Sequence, residues 1–195
     1  QLGGKVVTLS GSDGYIYDED GVKGEKVDFM QEMRAKAQDM VEEYADEYGV
    51  PFYAGERPWG VKVDVALPCA TENEIRAQDA RQLIDNGCVC VVEGANMPFT
   101  PEAVDLFLGN GILFGPGKAA NAGGVSVSGL EMSQDSMRLQ WSRDEVDSRL
   151  HYIMKNIHKQ CVKYGREGDA VNYVKGANLA GFIKVADAML DQGVV

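Results

Sequence analysis

Histidine is scarce in this chain. Only His151 and His158 occur in 195 residues, seven apart, with Asp147 four before the first. That spacing permits a metal pair, but histidines beside an apolar helical stripe are more often solvated side chains. No Ser–His–acid or Cys–His signature accompanies them, so nucleophilic hydrolysis has no support. The four cysteines, Cys69, Cys88, Cys90 and Cys161, form no Cys-x-x-Cys pair. They read as reduced thiols of a cytosolic protein rather than as a zinc site. The apolar run Cys88–Val92 stops at Glu93, far short of the roughly 20 residues of a spanning helix. The start, Gln1-Leu2-Gly3-Gly4-Lys5, has neither Met nor the charged-then-apolar order of a leader. A fragment or processed form is expected from it.

Positive charge is also in short supply: 19 Lys and Arg face 30 Asp and Glu, a net charge of −11. Residues 1–100 carry 9 basic and 19 acidic side chains, and residues 101–195 carry 10 and 11. Such a surface opposes a phosphate backbone, which excludes a nucleic-acid partner, and it favours solubility. The 45% apolar and 25% charged composition is that of a soluble globular domain with one substantial core.

What is present is an alternation of elements. Lys5–Ser10 is β-branched and ends at Gly11-Ser12-Asp13-Gly14, a strand and turn. Residues 26–48 place Val27, Met30, Met33, Ala37, Met40, Val41, Tyr44 and Tyr48 at helical spacing, stopped by Gly49. Val61, Val63, Val65 and Leu67 alternate as a strand closed by Pro68. Thr71 with Glu74 makes a capping box for a helix to about Asn86, ended by Gly87. Cys88–Val92 has the pattern of a strand buried on both faces, with Cys88 and Cys90 sharing one of them. Thr100-Pro101 starts a helix, and Ile112–Phe114 is a further strand before Gly115-Pro116-Gly117. This order predicts an α/β fold, a doubly wound parallel sheet of Rossmann type in one domain over 1–195. The closing segment 142–195 is helical. Its first helix is boxed by Ser142 and Glu145, and its last carries Leu179, Phe182, Ile183, Ala186, Met189 and Leu190.

Ligands of open parallel sheets bind beyond the strands' carboxyl ends. Here those ends are Ser10–Asp13, Pro68-Cys69-Ala70, Glu93–Asn96 and Gly115–Lys118, all small or polar. Turn chemistry alone would also select such residues. Gly115-Pro116-Gly117-Lys118-Ala119-Ala120 formally fits G-x-G-x-x-A. It lacks the acid about 20 residues on, and Pro116 removes an N–H, so it is a weak phosphate fingerprint.

The blocks Pro68–Asn73, Glu93–Pro98, Gly117–Val125, Ser128–Gln134, Gly176–Phe182 and Lys184–Met189 resemble the hexameric glutamate dehydrogenases, most closely the small bacterial type. The resemblance implies reversible, NAD- or NADP-dependent oxidative deamination of L-glutamate to 2-oxoglutarate and ammonia by a cytoplasmic homo-hexamer. It implies that Ser10, Gly11, Ser12 and Asp13 lie at the adenosine ribose, with Arg34 on the following helix. Asp13 would disfavour the 2′-phosphate and Arg34 would attract it, with a slight lean to NADP. Pro68, Cys69 and Ala70 would line the ribose and pyrophosphate. Asn96 and Asn121 would hold the nicotinamide, and Val125 and Ser128 the glutamate side chain. Read without the resemblance, Asn121 suits a helix N-cap and Ser128 a back-bonded hydroxyl.

The family's first strand, its Gly-rich turn and its substrate domain have no counterpart in the sequence. The chain is therefore expected to contain no catalytic residue and to be inactive alone. Two other readings remain open: a non-catalytic binding or assembly module, and a relative acting on leucine or phenylalanine. The Ser128 hydroxyl suits a carboxylate-bearing side chain better than an apolar one.

Overall fold

The computed structural model describes residues 3–37 and 40–193. Of the segments read above, Gln1-Leu2, positions 38 and 39 of the expected first helix, and the closing Val194-Val195 lie outside the described residues. The chain divides into two compact units, Gln1–Val61 and Lys62–Val195.

Unit 1 is a three-stranded antiparallel sheet in the order β1 (Thr8–Ser10), β2 (Gly14–Tyr17), β3 (Phe52–Ala54) with two helices, α1 (Glu25–Ala35) and α2 (Glu42–Tyr48). The expected first strand exists, but it forms a hairpin rather than joining a parallel sheet. The reason is length: Gly11 N–H closes onto Gly14 O at 2.9 Å, whereas a parallel return needs a crossover of a dozen residues or more. Gly14 is required next to this turn. Its φ is +149°, and a Cβ there would collide with the Tyr53 carbonyl as β3 pairs.

The single helix expected over 26–48 is two helices. Ala37 adopts a left-handed φ of 57° after α1. Helix α2 starts afresh where Asp13 Oδ2 accepts the Glu42 N–H at 2.9 Å. The predicted inward positions hold only in part: Met33 on α1 is buried, and Val41 and Tyr44 are buried with Ala45 against Ile16, whereas Val27, Ala37 and Met40 are exposed. Gly49 ends α2 in the left-handed conformation, as expected.

Asp18, 2% exposed, organises this unit. Its Oδ1 accepts the Asp20 and Gly21 N–H groups at 3.1 Å each, and its Oδ2 accepts Lys26 Nζ and the Tyr44 hydroxyl at 2.6 Å each. Burial pushes its carboxyl up, but the bonds from Lys26 and Tyr44 and the ammonium charge more than offset this. The group is held below its ordinary value. Burial and the Asp18 carboxylate together push the Tyr44 hydroxyl well up.

Unit 2 opens after a 3-10 turn at Pro58–Gly60. It contains a parallel sheet in the order β4 (Val65–Ala66), β5 (Cys90–Val92), β6 (Leu113–Gly115), with helix α3 (Ala77–Asp85) after β4 and α4 (Pro101–Gly109) after β5. This is the expected α/β architecture. Its core is aromatic: Phe99 lies 5.3 Å, centroid to centroid, from both Phe107 and Phe114. Ile75, Leu83, Val91 and Ala103 are buried with them.

Three local expectations are corrected here. Along 61–67 the alternation is real but the face is reversed at its end. Ala66 and Pro68 point inward, while Val65 and Leu67 are exposed. Strand β5 is not buried on both faces, since Val89 is 57% exposed at its entry and only Val91 is fully enclosed. In a three-stranded sheet the covering layers do not extend over every position. Cys88 is buried with its thiol donating to Asp64 O and Cys90 O, while Cys90 is half-buried.

The third correction concerns α3, which starts at Ala77 rather than Thr71. Ile75 is fully buried and bridges Phe99 in parallel, taking Pro98 O at 2.8 Å. That extended pairing displaces the first helical turn. Asp79 instead closes back onto the Arg76 N–H at 2.9 Å, and Glu74 bonds the Ala70 N–H.

The remaining elements are α5 (Gly117–Ala120), α6 (Ala122–Met137), α7 (Arg143–Gly165), the small hairpin β7 (Arg166–Glu167) and β8 (Ala170–Val171), and α8 (Tyr173–Gln192). Ser142 and Glu145 form the expected capping box. The hairpin has no apolar pattern, and it was not foreseen. Helices α7 and α8 pack so closely that a Cβ on Gly176 would collide with the Cys161 carbonyl. His151 lies 3.7 Å from Asp147 with both exposed, and His158 bonds the Tyr173 hydroxyl at 3.2 Å. Among the described residues, no helix is long and apolar enough to cross a membrane.

Removing the Asp18 hub should unfold unit 1 first. Asp18→Ala strands the buried Tyr44 hydroxyl and the Lys26 ammonium, a cost of about 3 kcal/mol. Because the carboxyl is depressed in the folded state, its contribution is complete above about pH 5 and is lost as pH falls below about 4. Urea titrations of wild type and variant from pH 7 to 2.5 should converge at the acid end. A constant gap would refute the linkage.

Candidate functional site

The site grows from the carboxyl ends of β4, β5 and β6. Beyond β4, the buried Pro68 offers its carbonyl to two amides at once, Gly94 N–H at 3.0 Å and Ala95 N–H at 3.1 Å. This approach needs Gly94 to be a glycine. A Cβ there would collide with Cys69 Sγ and lie 3.3 Å from Pro68 O.

Beyond β5, Glu93 reaches to the end of β6. Its N–H bonds Gly115 O at 2.9 Å, and its Oε2 accepts the Gly117 N–H at 2.5 Å. Burial pushes the Glu93 carboxyl up; the Gly117 N–H and the Lys118 charge pull it down, and the net effect is upward. The glycine motif 115–120 therefore has its Gly117 amide already occupied by a carboxylate. Lys118 Nζ bonds Asn178 Oδ1 on α8.

Short helix α5 then carries the chain to Asn121, whose N–H bonds Gly117 O at 2.9 Å. Asn121 stands at the N-cap position of α6 but makes no side-chain cap bond. Its Nδ2 instead donates to Asn96 Oδ1 at 2.7 Å, which joins the loop after β5 to the start of α6. Asn96 Nδ2 and Asn121 Oδ1, a donor and an acceptor, have no partner among the described residues.

These loops enclose an open cleft of about 990 Å³, at the upper end of the size usual for cofactor sites. Of the predicted residues it brings together Cys69, Ala70, Asn96, Asn121 and Val125. Pro68 lies beneath, holding the β5 loop. Ser128 is one turn along α6 from Val125; it is exposed and does not line the cleft. The neighbouring hydroxyls Ser126 and Ser133 bond back to Ala122 O and Gly129 O, whereas Ser128 has no such bond among the described residues. Thr71, Glu72, Gly94 and Ala95 also line the cleft. None of the four was given a role of its own, although Gly94 and Ala95 lie within the Glu93–Asn96 strand end named above and Thr71 and Glu72 directly follow Pro68-Cys69-Ala70. Burial, then the Glu74 carboxylate, pushes the Cys69 thiol up, so it is a poor nucleophile.

Ser10, Gly11, Ser12, Asp13 and Arg34 belong to unit 1. Ser10, Gly11 and Ser12 are exposed in the β1–β2 turn, and Arg34 is exposed in the last turn of α1. Asp13 is half-buried, with Oδ2 committed to α2 and Oδ1 unpartnered among the described residues.

A parallel sheet with a cleft of small and amide residues past its strand ends is the arrangement in which open α/β sheets take their ligands. The family model for Glutamate/Leucine/Phenylalanine/Valine dehydrogenase matches residues 1–193, and the chain belongs to this family. It is 60% identical over 197 residues to an NAD-specific glutamate dehydrogenase of Bacteroides fragilis, covering 100% of this chain and 44% of that protein. It is 56% identical to an NADP-specific glutamate dehydrogenase of Salmonella typhi, covering 100% and 43%. A Plasmodium falciparum glutamate dehydrogenase structure superposes with a TM-score of 0.92 at 41% identity, over 98% of this chain and 42% of that one. The chain thus spans less than half the length of these relatives.

Gly94→Ala should destabilise unit 2 by about 1–3 kcal/mol through overpacking against Cys69 and Pro68. Cys69→Ala in the same chain should recover part of that loss. Equal losses in the single and double variants, measured by denaturant unfolding, would show that Cys69 is not the obstacle.

Proposed function

We propose that the chain is the nicotinamide-cofactor-binding part of an enzyme that reversibly deaminates L-glutamate to 2-oxoglutarate and ammonia, with NAD or NADP as hydride acceptor. One observation supports this best: the Asn96–Asn121 pair, with Val125 beside it, in a cleft at the carboxyl ends of parallel strands. A primary carboxamide carries one acceptor and one donor group, and the pair leaves one donor and one acceptor for it. The bound cofactor would supply hydride chemistry. This chain's residues would orient it: Pro68, Cys69 and Ala70 along ribose and pyrophosphate, and Asn96 and Asn121 at the carboxamide. Val125 and Ser128 would meet the glutamate side chain. Both units would serve one cofactor-binding domain, in a cytoplasmic homo-oligomer, a hexamer in our reading.

Steady-state kinetics of the full-length protein with both cofactors and a panel of amino acids tests this reading. Preference for leucine or phenylalanine over glutamate would overturn it. In that protein, Ser128→Ala should raise the glutamate KM by the loss of one bond to a carboxylate, about 1.5–3 kcal/mol, with the cofactor KM unmoved. The opposite pattern would reassign Ser128.

Cofactor choice rests on the β1–β2 turn. Relatives of both specificities are similar to this chain to nearly the same degree, so overall likeness does not decide it. Asp13→Asn keeps an oxygen for the Glu42 N–H while removing the charge. If Asp13 faces the ribose, the kcat/KM ratio should shift toward NADP by up to about tenfold. A ratio that stays flat at low salt would leave Asp13 as the cap of α2 alone.

A further inference from the structure

Three hydrogen bonds and a stretch of main chain close a ring beside the cleft. Glu93 Oε2 holds the Gly117 N–H at 2.5 Å. Gly117 O holds the Asn121 N–H at 2.9 Å, and Asn121 Nδ2 reaches Asn96 Oδ1 at 2.7 Å. The main chain from Asn96 back to Glu93 completes the circuit. Within it Glu93 is the one charged member, and it brackets Pro116, which has no N–H of its own, by bonding the residues on both sides of it.

Space around this contact is tight. A Cβ on Gly117 would lie 3.1 Å from Ala95 O and 3.2 Å from Glu93 Oε2, so the start of α5 has little room to slide. The Pro116 carbonyl is in turn held by the Ala119 and Ala120 N–H groups at 3.0 and 2.9 Å. Gly117 and Asn121 are thereby tied together through one hydrogen-bonded turn.

We propose that Glu93 is a positioning residue for the cofactor: through Gly117 it fixes where the Asn121 amide stands against Asn96, and hence the orientation of the donor and acceptor offered to a carboxamide. This rests on the reading of Asn96 and Asn121 given above. Glu93 itself lies under the loop, half-buried, and its bonded oxygen is spent on protein rather than on ligand.

A double-mutant cycle in the full-length protein tests it, with KM for cofactor, KM for glutamate, kcat and the unfolding midpoint measured for each form. Glu93→Ala should raise the cofactor KM by about tenfold, the worth of one bond to a charged acceptor, and leave the glutamate KM within about twofold. Glu93→Gln keeps an acceptor oxygen and should return the cofactor KM to near the wild-type value. Combined with Asn121→Ala, Glu93→Ala should add little further, because its effect runs through that side chain. Additive effects, an unmoved cofactor KM, or equal rises in both KM values would overturn the proposal. If Asn121→Ala itself leaves the cofactor KM unchanged, the carboxamide reading fails and this inference falls with it. If Asn121→Ala responds and Glu93→Ala does not, the inference about Glu93 alone is wrong.

Discussion

Three parallel strands that end side by side pose a problem of unsatisfied backbone, and its solution shapes the rest of unit 2. A cleft past those ends needs the loops to stay open, yet buried N–H and C=O groups must be paired. Pro68 answers for β4 by accepting two amides on one carbonyl, and Glu93 answers for β6 with its own carboxylate. The loops therefore bond to one another, Gly94 and Ala95 to Pro68 and Gly117 to Glu93. Small residues follow from this: Gly94 and Gly117 sit where no Cβ fits comfortably.

The two units satisfy buried polar groups in different ways. Unit 1 packs an apolar cluster about Ile16, Val41 and Tyr44 against its small sheet, and beside it gathers an ammonium, a phenol and two amides on the Asp18 carboxylate. Such a network costs desolvation and gives back geometry, as it ties β2's end, α1 and α2 to one point. Unit 2 has a phenylalanine cluster under its sheet and little buried charge. Away from the cleft its one buried carboxylate among the described residues, Asp79, closes onto the Arg76 N–H.

Most of this was legible in the sequence where local chemistry and tertiary context agree. The Ser142–Glu145 box, Pro101 at a helix start and Gly49 at a helix end all stand as read. Two of the misreadings share one cause, a local signal overruled by a partner far along the chain. Thr71 and Glu74 lost their helical turn to the pairing of Ile75 with Phe99. The 26–48 helix was split near the point where Asp13 caps a new start. The face of Val65 and Leu67 was reversed, because periodicity gives the alternation but not which side meets the core. Of the site, the resemblance located the residues now gathered in the cleft. Glu93 stood inside one of the quoted blocks without a role, because its contact is with an amide 24 residues away.

Asn121 shows why local rules could not have given the site. Asparagine at an N-cap ordinarily satisfies a helix amide, a contribution of about 1 kcal/mol, and α6 begins at the following residue. Here the side chain leaves the amides of α6 without a side-chain cap and turns to Asn96 instead. A position that gives up a favourable local bond, while the surrounding hydrogen bonds hold it in place, departs from what stability alone would select. Such departures concentrate where a protein has another task for the group. In this fold that group faces the cleft at the strand ends, beside Gly94 and near the half-buried Glu93 carboxylate that holds Gly117.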